Sequence, residues 1–98
     1  MSEFNREDFH KQLGELILSR RNELELSRRK LFALTGIAEM SIRKLEVGEV
    51  HARLADMMIL DRVLGLGLAG FMERWSRSIE ETPHEIEISG VKYRMVSD

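Results

Sequence analysis

Apolar residues recur at steps of three and four through most of the chain, and the pattern changes to strict alternation only near the C-terminus. From Arg6 to Leu24, the residues Phe9, Leu13, Leu16, Ile17, Arg21 and Leu24 share one helical face. Asn5 stands ready to cap that helix, and Glu7 and Asp8 suit its first turn. Ser27 to Gly48 divides into two short helices around a glycine turn. Ser27 caps the first, Leu31 and Leu34 share its inner face, Gly36 supplies a left-handed residue, and Ile37 fills the bend. Ile42 and Leu45 anchor the second, which turns Glu39, Met40, Arg43 and Lys44 outward. A fourth helix, about Leu54 to Leu64, carries Met57, Leu60 and Leu64 inward with Met58 and Val63 widening the stripe. A fifth carries Leu68, Phe71, Met72, Trp75 and Ile79 and ends before Pro83.

The tail reads differently. HEIEI and VKYRM are two alternating segments around Ser89 and Gly90, a hairpin pattern. A two-residue turn sets Ile88 opposite Val91, Ile86 opposite Tyr93 and His84 opposite Met95 on one side. Glu87 with Lys92 and Glu85 with Arg94 then form opposite-charge pairs on the other. An isolated hairpin is marginal in water, so its apolar face needs a cover. Two covers are open: a second copy of the chain across a dimer interface that includes Phe71, Trp75, Ile86, Ile88, Val91 and Tyr93, or Trp75 of the same chain, with the hairpin as a local lid.

Ninety-eight residues, 43% hydrophobic and 33% charged with one proline, describe one mainly helical domain with a terminal appendage. The division expected is 1–66 as the main domain and 67–98 as helix five plus hairpin. The absence of cysteine excludes disulfides and thiolate metal sites. His10, His51 and His84 lie far apart, and no HExxH motif, phosphate-cradling glycine loop or strained serine elbow is present. We therefore expect no enzyme, metal or cofactor. The polar first ten residues lack a secretory stretch, and Asp56, Asp61 and Arg62 interrupt the apolar region from Leu54 to Met72. A cytoplasmic protein without a membrane partner is the expectation. The formal charge is −2, yet between Ser27 and Arg62 Arg28, Arg29, Lys30, Arg43, Lys44, Arg53 and Arg62 outnumber Glu39, Glu46, Glu49, Asp56 and Asp61. The acidic excess sits at Glu3, Glu7 and Asp8, and again at Glu80, Glu81, Glu85 and Glu87. A local basic rim of this kind is sufficient for phosphate contacts.

Taken in order, Arg21, Ser27, Leu31, Gly36, Ile37, Ile42, Glu46 and Gly48 have the spacing of a helix-turn-helix. The stretch from about Leu13 to Leu66 resembles, without a gap, the XRE family of phage Cro and CI repressors. The resemblance implies an all-α, lambda-repressor-like five-helix DNA-binding domain, its helix-turn-helix at about 27–48, here followed by the β-hairpin. It also implies that Arg21, which needs a partner on its apolar face, pairs with Glu46 at the end of the reading helix. Ala38, Glu39, Met40, Ser41, Arg43 and Lys44 match the residues that enter the major groove. In those places Lys44 suits guanine, Arg43 guanine or a phosphate, Glu39 a cytosine amino group and Met40 a thymine methyl. Arg28, Ser41, His51 and Arg53 are the expected phosphate contacts, Arg28 standing where the family has a glutamine that touches the backbone. The function implied is sequence-specific DNA binding for transcriptional regulation, a repressor on a palindromic operator as a homodimer.

Three departures from the family pattern alter the expectations. Ala38 replaces Ser or Thr, which removes a side-chain cap from the reading helix. Glu25 replaces a turn glycine, which points to a different or longer first loop, and Phe32 replaces a small residue, which calls for repacking between helices. Two alternatives stay open beside repression. One is an antitoxin that binds both DNA and a toxin protein; the other is a helix-turn-helix scaffold retained for protein contact.

Overall fold

The computed structural model describes residues 4–49 and 52–80, with the backbone of two strands at 85–88 and 91–94. Five helices follow one another: α1 (Arg6–Glu23), α2 (Arg28–Thr35), α3 (Glu39–Glu46), α4 (Leu54–Leu64) and α5 (Leu68–Glu80). Three of the five starts, those of α1, α2 and α5, have a side-chain cap. The Asn5 side chain accepts the Asp8 amide at 3.1 Å, and Ser27 Oγ accepts that of Lys30 at 3.0 Å. Asp61 Oδ1 accepts the Leu68 amide at 3.1 Å, so α4 caps α5. Ala38 gives α3 no side-chain cap.

Glu25 makes the α1–α2 turn in the left-handed region, at φ 57°. The chain thus turns with Glu25 in the backbone conformation that glycine favours, and only Leu24 to Ser27 separate the two helices. Gly36 turns α2 into α3 at φ 77°, its amide bonded to the Phe32 carbonyl at 2.8 Å. Thr35 adds a brace: its hydroxyl donates to the Leu31 carbonyl at 2.7 Å and accepts the Ile37 amide at 3.1 Å.

The core gathers Leu13 and Ile17 of α1, Leu31 of α2, Ile42 and Leu45 of α3, and Met57, Leu60 and Leu64 of α4. Ile17, Leu31, Ile42, Leu60 and Leu64 are fully buried, and each contributes about 1.5–3 kcal/mol relative to exposure. Several expected core residues are not there. Leu34 is 52% exposed and Phe32 45%. Leu31 alone fills the inner line of α2, so Phe32 projects outward and the helices need no repacking around it. Leu24, Met58, Met72 and Ile79 are likewise exposed, because the buried stripes of α1, α4 and α5 are narrower than their apolar stripes.

Phe71 requires a second correction. At 5% exposure it is covered by its own chain, with its ring centroid 5.5 Å from that of Phe9 and 6.5 Å from that of Trp75, so it has no surface to offer a dimer partner. Phe4 completes this aromatic cluster, 5.6 Å from Phe9 and 5.7 Å from Trp75. Beyond α5, the backbone of β1 (Glu85–Ile88) pairs antiparallel with β2 (Val91–Arg94), Ile86 opposite Tyr93 and Ile88 opposite Val91. The expected Ser89–Gly90 turn and the His84–Met95 pair lie outside the described residues, as do the side chains of Ile86, Ile88, Val91 and Tyr93. Among the described residues no helix is long and apolar enough to cross a membrane.

Candidate nucleic-acid interface

The eight residues of α3 divide cleanly by environment. Ile42, Leu45 and Glu46 are buried, whereas Glu39, Met40, Ser41, Arg43 and Lys44 are exposed. The outward face expected from sequence is therefore the outward face of the folded chain. Two concave surfaces flank it. One, toward the start of α2, is lined by Arg21, Ser27, Arg28, Arg29, Glu39, Met40 and Arg43. The other, toward α4, brings Ser41 and Lys44 together with Arg53 and Asp56 beside the Gly36–Ala38 turn. The residues proposed for base and phosphate contact are thus shared between the two sides of one short helix. His51 lies outside the described residues.

What holds α3 in place is partly polar. The side chain of Glu46 is 1% exposed and accepts three hydrogen bonds. Arg21 Nε donates to Oε2, and Arg21 Nη2 donates to Oε1 at 3.2 Å. The pair between Arg21 and Glu46 is present, and it is bidentate. Arg21 Nη1 also donates to the Leu26 carbonyl at 2.8 Å, which ties the α1–α2 turn to the same guanidinium.

The third bond to Glu46 comes from a residue expected elsewhere. Arg28 Nε donates to Oε1 at 2.8 Å, so Arg28 is anchored inside the protein as well as lining the concave surface. The expected phosphate contact thus also has a partner within the protein. A carboxylate has room for about four donors, and a buried one beside two arginines recruits both. No buried side-chain nitrogen or oxygen among the described residues is left without a partner.

Sequence reasoning missed one residue of this seat altogether. Gly14 of α1 meets the end of α3 so closely that a Cβ there would lie 2.3 Å from the Leu45 carbonyl oxygen and 2.5 Å from that of Glu46. A glycine inside an otherwise good helix former was the available signal, because such a residue costs about 1 kcal/mol unless close packing requires it. No family model matches this sequence, and the curated proteins contain no match to it.

Proposed function

We propose that this chain is a sequence-specific DNA-binding transcriptional regulator of the XRE, Cro/CI-type helix-turn-helix kind, a repressor that occupies a palindromic operator as a homodimer. In this reading α2 and α3 are the helix-turn-helix, and α3 lies in the major groove. The observation that carries it is the division of α3: an anchored face of Ile42, Leu45 and Glu46, and a polar solvent face of Glu39, Met40, Ser41, Arg43 and Lys44. An eight-residue helix held from behind and polar in front matches the width of that groove. The reading is non-enzymatic and needs no cofactor or metal. α5 and the strand pair 85–94 are the dimerising part, with Trp75 and the exposed Met72 in place of buried Phe71 on the α5 side. Dimerisation sets two copies of α3 about 34 Å apart, one helical turn of DNA.

The test is selection of bound duplexes from a random library at low and moderate salt. An enriched inverted repeat is expected, and Arg43→Ala or Lys44→Ala should each weaken binding to it about 5- to 150-fold, the equivalent of about 1–3 kcal/mol per base contact. Unchanged affinity in both variants would remove α3 from the reading role. A second reading, a scaffold for protein contact, draws support from the exposed Phe32 and Leu34 of α2. It predicts no enrichment at either salt.

A further inference from the structure

Glu46 serves two arginines, and one is enough to neutralise it. Arg21 is committed inward through all three of its nitrogens: Nε and Nη2 to Glu46, Nη1 to the Leu26 carbonyl. Arg28 is held differently. Its Nε donates to Glu46 at 2.8 Å while its side chain stays 39% exposed, and neither Nη makes a hydrogen bond among the described residues. A guanidinium gripped at Nε keeps its end-on pair of Nη donors, the edge whose spacing meets two oxygens of one phosphate. The two guanidinium groups and one carboxylate leave a single positive charge. It lies beside Arg29 and Arg43 on a concave surface where Glu39 is the one exposed carboxylate lining the site.

We propose that Glu46 is a positioning residue, holding Arg28 as a fixed fork for one backbone phosphate of duplex DNA. The inference rests on the DNA-binding reading and adds a cause to it. The carboxylate that seats α3 against α1 also aims the phosphate grip at the start of α2. Helix orientation and backbone grip are therefore set by the same buried group. A long arginine side chain loses less rotamer freedom on binding when it is already tethered, so the gain is in affinity and not in charge alone.

The experiment compares the unaltered chain with Arg28→Ala and Arg28→Lys on a short duplex of mixed sequence, across a salt series. Arg21 still neutralises Glu46 in both variants, so both should fold, which a thermal melt checks. Arg28→Ala is expected to weaken binding about tenfold and to lower the slope of log affinity against log salt by about one. Arg28→Lys should restore the slope, since it restores the charge, but not the affinity, since an ammonium cannot donate to Glu46 and present a fork together. Full recovery of affinity by lysine would overturn the positioning role. So would an unchanged slope and affinity in Arg28→Ala while the unaltered chain stays salt-dependent, a result that leaves the DNA reading standing. A changed base preference at an unchanged slope, read by repeating the duplex selection, would overturn the phosphate assignment. A chain with no salt-dependent affinity at all would overturn this inference together with the reading beneath it.

Discussion

α3 and α5 are both short, both amphipathic and both packed against α1, yet they are held by different physics. Beyond the apolar Ile42 and Leu45, α3 is seated by directional contacts: backbone against Gly14, and a buried carboxylate bonded to Arg21 and Arg28. α5 is seated by rings, Phe71 against Phe9 and Trp75 against Phe9 and Phe4, with centroids 5.5 to 5.7 Å apart. Hydrogen bonds weaken steeply as their angle closes, so the first kind of seat fixes orientation. Apolar contact scales with area and tolerates rotation, so the second fixes proximity. On the proposed reading α3 presents its exposed side chains in a set geometry, which needs the first kind. A helix that covers one end of the core needs only the second.

The distinction is open to attack at both seats. Gly14→Ala should be the most damaging small change in the chain. Its Cβ would meet two carbonyl oxygens of the backbone at 2.3 and 2.5 Å, and backbone cannot swing aside as a side chain can. A loss of about 3 kcal/mol is expected, or roughly 15 °C in the melting temperature of a domain this size. A loss under about 1 kcal/mol would mean the α3 seat yields after all. Phe71→Leu, a change of shape in a ring cluster, should cost only about 1 kcal/mol and roughly 5 °C, because the neighbouring rings can close over a smaller apolar group. If it costs as much as Gly14→Ala, the α5 seat is as exacting as the other, and the contrast disappears.

Apart from the Arg21–Glu46 pair, which the family resemblance implies, the parts legible in the sequence are those decided within one helical turn. Asn5, Ser27 and Gly36 announce themselves because a cap or a left-handed turn involves residues three or four apart. The inward line Ile42 and Leu45 is legible for the same reason. Arg28 and Glu46 are eighteen positions apart, and nothing local says that a carboxylate already paired with Arg21 has room for another donor. Leu34 and Phe32 defeat the pattern because an eight-residue helix has barely two turns, too few to separate a buried line from an apolar neighbour beside it. Phe71 looks like an interface residue in the sequence because an apolar stripe does not distinguish a chain's own core from a partner's. Phe9, whose ring lies against it, comes more than sixty residues earlier.

The smallest expected effect has the opposite sign and concerns the turn between the two seats. Glu25 holds φ 57°, where a Cβ crowds the backbone at a cost of about 1–2 kcal/mol. The turn is nonetheless needed in that shape. The Leu26 amide returns to the Arg21 carbonyl at 3.0 Å, and the Leu26 carbonyl receives Arg21 Nη1 at 2.8 Å, so the turn completes the guanidinium that grips Glu46. Glu25→Gly keeps the shape and relieves the crowding, while the freer unfolded chain takes back about 0.4–1 kcal/mol. A net gain of about 0.5 kcal/mol is expected, a rise of about 3 °C in the melting temperature. A fall instead would mean that the Glu25 side chain itself stabilises the turn. The rigidity of the α3 seat would then depend on that exposed carboxylate as well as on Glu46.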